Sequence, residues 1–302
     1  MTGSLEIVKA VSTLGATVTG VELSALTPDE WSRIHAAFLE HAVLVFPGQY
    51  LSDGEQTAFG RRFGELNVEA IHFTNEQSDG TLRPADDPLM QLLRGNESWH
   101  TDNSYLPVSA GPSVLSARTV PSKGGETEWA DMRAAYDALS PEMRERVQGL
   151  KAFHSLIESQ ARTGQSASGT KEAFAAITAA ESAKPGAASG AAAAHDTPRL
   201  RPLVKQHPET GRPSLYIGRH AYEIPGLEPA ESDALLAELN DFACQPPRVL
   251  THAWEAGDTV LWDNRCVLHR VRPFDPAEAR RVVHTRVSGD PATEAEEPAP
   301  TA

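Results

Sequence analysis

The stretch Trp99-His100-Thr101-Asp102 is the part of this 302-residue sequence from which the fold and the site can be worked out first. In an extended segment, residues two positions apart point to the same side, so that His100 and Asp102 can both reach one metal ion. A His-x-Asp sequence is common by chance, and this pair alone is weak evidence of a metal site. Its meaning depends on whether a further ligand lies elsewhere in the chain.

A third candidate ligand closes the stretch from Trp262 to His269, which has the sequence WDNRCVLH and runs from an expected strand into a turn. Two imidazoles and one carboxylate can occupy one face of an octahedron and leave three positions open, which is the ligand pattern of O2-activating Fe(II) oxygenases. A chelating 2-oxo acid needs two of these positions and O2 needs one. A catalytic zinc site and a metal-binding β-barrel without turnover remain alternatives.

A candidate cation, Arg280, follows His269 at a short distance in the chain. The planar guanidinium binds a carboxylate through two parallel hydrogen bonds, so that Arg280 can hold the far carboxylate of a dicarboxylate whose other end chelates the metal. The hydroxyl of Thr127, in the sequence GGET, is a candidate to complete this pocket. Arg281 is adjacent, and a slip of one residue would exchange the two arginines. The zinc alternative leaves Arg280 without a role.

Many short β-rich segments and few helices surround these motifs. This pattern predicts a mainly β fold with flanking helices and a double-stranded β-helix core, also called a jelly roll or cupin-like barrel. The expected strands are 17–23, 41–46, 90–93, 113–120, 203–206, 214–217, 249–254, 259–262 and 281–287. The expected helices begin near residues 28 and 53 and cover 130–150 and 228–243. The rest of 66–98 is expected to be irregular.

Composition excludes several classes of function. The net charge of −14 argues against a nucleic-acid partner, which needs basic surface to meet phosphates. The sequence has no apolar run near the about 20 residues that span a bilayer, and its N-terminus lacks a signal-peptide pattern. The two cysteines, Cys244 and Cys266, are expected to be buried thiols in a reducing compartment. We expect a cytoplasmic protein with a small-molecule substrate.

The domain organisation is expected to be simple, with a single domain over residues 1–289. Within it, residues 158–199 are rich in Ala, Gly and Ser and contain few large apolar side chains. Such a segment is either a disordered surface insertion or a mobile lid over a site, and both interpretations stay open. Residues 290–302 form an acidic, Pro- and Ala-rich tail that is expected to be disordered.

The motifs together resemble the taurine/2,4-D dioxygenase family of Fe(II)- and 2-oxoglutarate-dependent enzymes. The likeness covers nearly the whole chain and includes GNESWHTDNSYLP from residue 95, GGETEWADMRAAYDALS from 124, WDNRCVLHR from 262 and RVSGDP from 286. Within the family, RPLVKQHPETGRPSLYIGRHAYEIPGLEPAES from 201 is most similar to phenoxyalkanoate herbicide dioxygenases of the (R)-2-(aryloxy)propionate type. This resemblance implies a jelly-roll oxygenase and allows a homo-oligomer.

The resemblance also implies roles for individual residues. The implied iron ligands are His100, Asp102 and His269. The implied 2-oxoglutarate pocket contains Thr127, Arg280 and Trp254, although Trp254 also fits a buried structural position. Three further residues match substrate positions of relatives, namely His72, Asn96 and His284. Taurine-binding relatives carry an arginine at the place of His284, so a sulfonate substrate is in doubt here.

The reaction implied by the resemblance is hydroxylation of a small, anionic organic substrate with O2 and 2-oxoglutarate as co-substrates. On the ether carbon of an aryloxyalkanoate, hydroxylation would release a phenol and a 2-oxo acid. A sulfonate, an alkyl sulfate, an amino-acid derivative and a biosynthetic intermediate remain alternative substrates. Asp102 argues against halogenation, because halogenating relatives need that carboxylate position vacant for chloride.

Overall fold

The computed structural model describes residues 4–84, 86–164, 166–171 and 197–295. The described strands are β1 Glu6–Lys9, β2 Ala16–Thr19, β3 Val43–Phe46, β4 Leu66–Thr74, β5 Ala110–Thr119, β6 Thr127–Asp131, β7 Lys151–His154, β8 Arg199–Pro202, β9 Val204–Gln206, β10 Pro213–Leu215, β11 Ala221–Tyr222, β12 Val249–His252, β13 Thr259–Asp263, β14 Val267–Val271 and β15 Arg281–Ser288. The described helices are α1 Pro28–His41, α2 Asp53–Gly60, α3 Pro88–Arg94, α4 Met132–Ala138, α5 Pro141–Val147, α6 Leu156–Ala161, α7 Pro229–Ala243 and α8 Pro291–Glu294. None of these helices is long and apolar enough to cross a membrane.

A seven-stranded sheet in the order β1-β2-β3-β13-β5-β15-β4 forms one wall of the molecule. Its strand β13 is buried on both faces, and successive side chains alternate between two clusters. Leu261 packs outward with Phe38 of α1 and Phe59 of α2, whereas Val260 and Trp262 pack inward. Helices therefore cover the outer face of this sheet, as the sequence pattern predicted.

A three-stranded antiparallel sheet, β12-β6-β14, provides the facing wall. The register pairs Leu268 with Ala130 and His269 with Trp129. The rings of Trp129 and Trp262 pack between the two walls with centroids 6.0 Å apart. The predicted mainly β fold with a jelly-roll core is confirmed.

Two helices begin where the sequence predicted because each start carries a reciprocal cap. Thr27 and Glu30 form a capping box at α1, and Ser52 and Glu55 form one at α2. Each box satisfies backbone N–H groups that otherwise lack a partner in the first turn, a contribution of about 1 kcal/mol.

Residues 66–98 differ from the expectation of an irregular stretch with a strand at 90–93. The nine-residue strand β4 lies at the edge of the large sheet, where polar side chains can face outward. Residues 90–93 belong to α3 instead, because Asp87 caps it by accepting from the Leu89 N–H and Pro88 occupies its first turn.

The predicted continuation of β2 beyond residue 20 is also wrong, since Leu23–Ala25 is a 3-10 turn. The predicted helix 130–150 is wrong at its start, where residues 130–131 belong to β6.

Both ends of the insertion 158–199, which was expected to be disordered or a mobile lid, and the start of the tail 290–302, which was expected to be disordered, have regular structure. Residues 158–161 lie in α6 and residue 199 begins β8, whereas residues 172–196 lie outside the described part of the chain. The prediction of a disordered tail is wrong for residues 290–295. Glu294 of α8 is buried, accepts a 2.6 Å hydrogen bond from the Ser109 hydroxyl and pairs with Lys205. A buried, paired carboxylate anchors this part of the tail.

Candidate active site

A cavity of about 220 Å³ is lined by residues of both walls together with α3 and α6. Much of its lining is apolar, including Ile71, Phe73, Met90, Leu93 and Leu156. The polar lining includes all three candidate metal ligands and several arginines. A mostly apolar cavity with a few convergent polar groups is the usual form of a small-molecule site.

The candidate ligand atoms of His100, Asp102 and His269 lie within 4.8 Å of one another. The two histidines meet because their backbones form an isolated antiparallel bridge, with N–H to carbonyl distances of 3.0 and 2.7 Å. Asp102 then turns back in a tight turn rather than continuing an extended strand. The convergence that the sequence predicted is therefore present, but a bridge followed by a turn produces it.

The protonation states of this group suit a divalent metal. The Nδ1–H of His100 donates to the carbonyl of Ser98 at 2.8 Å, which leaves Nε2 free as a ligand. Burial lowers the pKa of His100 to about 3 and that of His269 to about 4, so both imidazoles are neutral. Burial acts to raise the pKa of Asp102, but this pKa lies well below its usual range, chiefly because of the charge on the neighbouring Arg286 guanidinium. Two neutral imidazoles and an ionised carboxylate fit Fe(II).

The second carboxylate oxygen of Asp102 faces a set of polar groups. The Ser113 hydroxyl donates to Oδ2 at 3.1 Å, and Nε2 of His284 and Nε of Arg286 lie 3.5 and 3.4 Å from the same atom. His284 is buried and stacks on Trp262 with a centroid distance of 5.3 Å. His284 lines the cavity, as expected of a substrate-binding residue, but its Nε2 faces the carboxylate of Asp102.

The two adjacent arginines, Arg280 and Arg281, point to different places. Arg281 forms an ion pair with Glu76 at 2.8 Å and is partly exposed. Arg280 lines the cavity, donates to the carbonyl of Gly125 at 3.4 Å and has no carboxylate partner among the described residues. Burial lowers the pKa of Arg280 to about 10. Of the two, only Arg280 is free to meet a carboxylate in the cavity.

Thr127 and Trp254 act as a pair beside Arg280. Thr127 lines the cavity, and its Oγ1 accepts a 2.9 Å hydrogen bond from the indole N–H of Trp254. Because the indole uses an acceptor site of the hydroxyl, the hydroxyl proton of Thr127 remains available to a ligand. Trp254 was expected to line the pocket; among the described residues that line the cavity it is absent, and it lies behind Thr127.

One of the expected substrate residues is at the cavity and another is not. Asn96 lines the cavity from the 3-10 turn that follows α3. His72 lies on the opposite face of β4 from its neighbours Ile71 and Phe73, which line the cavity. Its Nε2 is 2.7 Å from Asp53 Oδ2, and 41% of its side chain is exposed. The structure therefore does not place His72 among the described residues that line the cavity, and its role in substrate binding stays a prediction.

Two cavity residues, Arg219 and His220, were not predicted from the sequence. Arg219 donates to the carbonyl of Ser159 at 3.1 Å and to Gln160 Oε1 at 3.0 Å, and burial lowers its pKa to about 10. The described residues offer it no carboxylate partner. His220 is buried at the cavity with its ring 6.0 Å from that of His100. In the sequence, the only sign of these two cavity residues was that Arg219 follows the apolar residues 215–217.

Gly95 and Trp99 place Arg219 beside the metal motif. The backbone N–H of Arg219 donates to the carbonyl of Trp99 at 2.8 Å. A Cβ at Gly95 would lie 2.1 Å from Arg219 Nη1, so the glycine provides the space that the guanidinium occupies. The chain thus holds a second half-buried cation close to His100.

The family model for the taurine catabolism dioxygenase TauD, TfdA family matches residues 6–287. The (S)-phenoxypropionate/alpha-ketoglutarate-dioxygenase of Sphingobium herbicidovorans is 50% identical over 97% of this chain and 98% of its own length. A protein of the same name from Delftia acidovorans is 47% identical over the same shares. The crystal structure of AAD-2 in complex with Mn(II) and N-oxalylglycine matches with a TM-score of 0.84 and 33% identity, and covers 98% of this chain and all of that one.

These relatives refine one expectation. The sequence resemblance indicated the (R)-2-(aryloxy)propionate type, whereas both curated relatives are named for the (S) enantiomer. These names do not support the (R) type.

Proposed function

Because the chain belongs to the taurine catabolism dioxygenase TauD, TfdA family, we propose that it is an Fe(II)- and 2-oxoglutarate-dependent dioxygenase that cleaves (S)-2-aryloxypropionates. The observation that carries this proposal is that one cavity is lined by two half-buried arginines without carboxylate partners among the described residues, Arg280 and Arg219, together with a His-Asp-His group. The reaction needs two carboxylates held at once, one from 2-oxoglutarate and one from the substrate. An unpaired buried cation is costly, so its natural partner is a bound anion.

In this proposal His100, Asp102 and His269 hold Fe(II), and Arg280 holds the far carboxylate of 2-oxoglutarate. The Thr127 hydroxyl, oriented by the indole of Trp254, donates to the same carboxylate. Arg280 donates to the carbonyl of Gly125, and this contact keeps the guanidinium beside residues 124–127, the GGET sequence that contains Thr127. Charged hydrogen bonds in a buried site are strong and directional, which suits the selection of a dicarboxylate.

Arg219 would bind the substrate carboxylate. Carbon C2 of an aryloxypropionate carries this carboxylate, the ether oxygen and the methyl group, so holding the carboxylate near His100 also brings C2 near the metal group. The apolar lining, with Ile71, Phe73 and Leu156, would receive the aromatic ring and exclude water. The substrate carries a carboxylate at one end and an aryl ring at the other, which match the cationic part and the apolar part of the cavity lining.

Bound Fe(II), with 2-oxoglutarate and O2, supplies the oxidising chemistry, in which 2-oxoglutarate becomes succinate and CO2 and one oxygen atom enters the substrate. Hydroxylation at C2 gives a hemiketal, which breaks its bond to the aryl oxygen and yields a phenol and a 2-oxo acid. The protein residues contribute position: Arg219 and Arg280 fix the two carboxylates, and the apolar wall fixes the ring.

The test is steady-state turnover of (S)- and (R)-2-phenoxypropionate, with phenol and succinate measured, in the wild type and in Arg219→Ala. Loss of a charged hydrogen-bonding partner weakens binding by about 1.5–3 kcal/mol, so we expect the KM for the (S) substrate to rise at least tenfold. The affinity for 2-oxoglutarate should stay unchanged, because Arg280 is intact.

Arg212→Ala is the matched control, since Arg212 pairs with Asp137 at the surface and should leave KM unchanged. Arg219→Lys should restore part of the loss, because the ammonium keeps the charge but not the planar fork. Equal KM values in the wild type and Arg219→Ala would remove Arg219 from the substrate site. No phenol from either enantiomer in the wild type would overturn the substrate class.

A further inference from the structure

We propose that Ser113, His284 and Arg286 are positioning residues. They hold one carboxylate oxygen of Asp102 away from the metal, so that only the other oxygen can bind it. This inference rests on the metal site of the proposed function. All three groups face Oδ2, at 3.1, 3.5 and 3.4 Å respectively. The other oxygen, Oδ1, is the one that faces Nε2 of His269, at 3.8 Å.

The proton on Ser113 points at Asp102 because of Asn264. The Asn264 amide Nδ2 can only donate, and it lies 2.9 Å from Ser113 Oγ, which must therefore accept. The hydroxyl proton is left to donate to Asp102 Oδ2. Asn264 also accepts from the Asp102 backbone N–H at 3.2 Å and from the Trp262 indole at 3.0 Å, so it holds both Ser113 and the metal motif.

The proton on His284 points the same way. A guanidinium nitrogen of Arg286 lies 3.4 Å from Nδ1 of His284, and since arginine can only donate, Nδ1 accepts. In the neutral imidazole the proton then lies on Nε2, the atom that faces Asp102. Nε2 of His284 and Nε of Arg286 are buried and have no hydrogen-bond partner within the described part of the chain. Two buried N–H groups therefore have the Asp102 carboxylate as their nearest anion.

The consequence concerns the number of metal positions that the protein fills. A carboxylate that used both oxygens would occupy a position that a chelating 2-oxo acid or O2 needs. Turning Oδ2 toward the metal would break the hydrogen bond from the Ser113 hydroxyl and would move the carboxylate charge away from the two buried N–H groups of His284 and Arg286, which is costly. The set therefore keeps Asp102 as a one-oxygen ligand.

The experiment compares two affinities in wild-type protein, Ser113→Ala and the double variant Ser113→Ala/His284→Phe. The Kd for Mn(II) alone is measured from the electron paramagnetic resonance signal of the free ion. The Kd of the Mn(II)-loaded protein for 2-oxoglutarate is measured by calorimetry. No substrate is present, so the predicted substrate role of His284 does not enter, and phenylalanine keeps a ring on Trp262.

We expect the double variant to bind Mn(II) as tightly as the wild type or more tightly, and to bind 2-oxoglutarate about tenfold more weakly, with a smaller loss in Ser113→Ala. A general loss of structure would instead weaken both affinities together. The control is Ser116→Ala, which removes another buried hydroxyl of β5, one that bonds to Thr259 at 2.9 Å away from the metal group.

Three results for the double variant would overturn the inference. Its affinity for Mn(II) could fall as much as its affinity for 2-oxoglutarate, its affinity for Mn(II) alone could fall, or both affinities could equal those of Ser116→Ala. If wild-type protein binds no Mn(II), the metal site itself is absent and the proposed function fails with it. Selective loss of 2-oxoglutarate affinity would support the positioning role.

Discussion

Two regions of the molecule bury arginines in opposite ways. Behind the metal group, Arg265 is paired with Asp263 at 2.7 Å, and Arg133 is paired with Asp131 at 2.9 Å. Burial acts to lower the pKa of Arg265, but the Asp263 carboxylate outweighs it and raises this pKa. In the cavity, Arg280 and Arg219 have no carboxylate partner among the described residues, and burial lowers the pKa of each to about 10.

In our proposal, this difference separates arginines that stabilise the fold from arginines that bind the carboxylate of a ligand. A buried ion pair satisfies itself, whereas an unpaired buried guanidinium is stabilised only when an anion binds. The Asp263–Arg265 pair, extended by His207 at 2.9 Å, braces the turn that presents Asn264 and His269.

The largest expected effect comes from breaking a paired arginine. Arg265→Ala would leave Asp263 as a buried carboxylate that has lost its guanidinium partner and keeps His207 and the backbone N–H of residue 265, so we expect the free energy of unfolding to fall by about 3–5 kcal/mol. Urea denaturation measures this change. Arg280→Ala should leave the free energy of unfolding without ligand unchanged or higher, because it removes a buried charge that has no partner. A loss below about 1 kcal/mol in Arg265→Ala would show that the pair does not brace the turn.

The next effect comes from removing an unpaired arginine. Arg280→Ala should weaken 2-oxoglutarate binding about 100-fold, the equivalent of two lost hydrogen bonds to a charged group. The visible absorption band of the anaerobic Fe(II)–2-oxoglutarate complex reports this affinity. Arg281→Ala is the neighbouring control and should lose less than about twofold, because its partner Glu76 is partly exposed. Equal losses in the two variants would contradict the assignment of Arg280.

Local sequence rules were sufficient for part of this molecule. The sequence located the starts of two helices near residues 28 and 53, and the two histidines and Asp102 identified a candidate metal site from residue type and spacing. These features depend on chemistry within a few residues or on a distinctive ligand set. The choice between Arg280 and Arg281 needed the strand orientation, which the sequence left open.

The missed residues depend on contacts between distant parts of the chain. Arg219 reaches the metal motif through a backbone bond to Trp99 and through the space left by Gly95, which no local pattern shows. His72 was predicted to bind substrate when residues 66–98 were expected to be irregular. These residues contain the edge strand β4, in which side chains alternate between two faces and His72 points away from the cavity. Burial of a charged residue is a property of the fold and is poorly visible in a single sequence.

The smallest expected effect tests whether Trp254 acts on 2-oxoglutarate only through Thr127. Trp254→Phe removes the 2.9 Å hydrogen bond to Thr127 Oγ1 and keeps an aromatic ring, so we expect 2-oxoglutarate affinity to fall two- to tenfold, or about 0.5–1.5 kcal/mol. Thr127→Val removes the hydroxyl itself and should cost at least as much. In the double variant the loss should equal that of Thr127→Val alone, because an indole that orients a hydroxyl has no effect once the hydroxyl is gone. If the two losses add instead, Trp254 contacts the ligand directly, and the expectation that it lines the pocket would be restored.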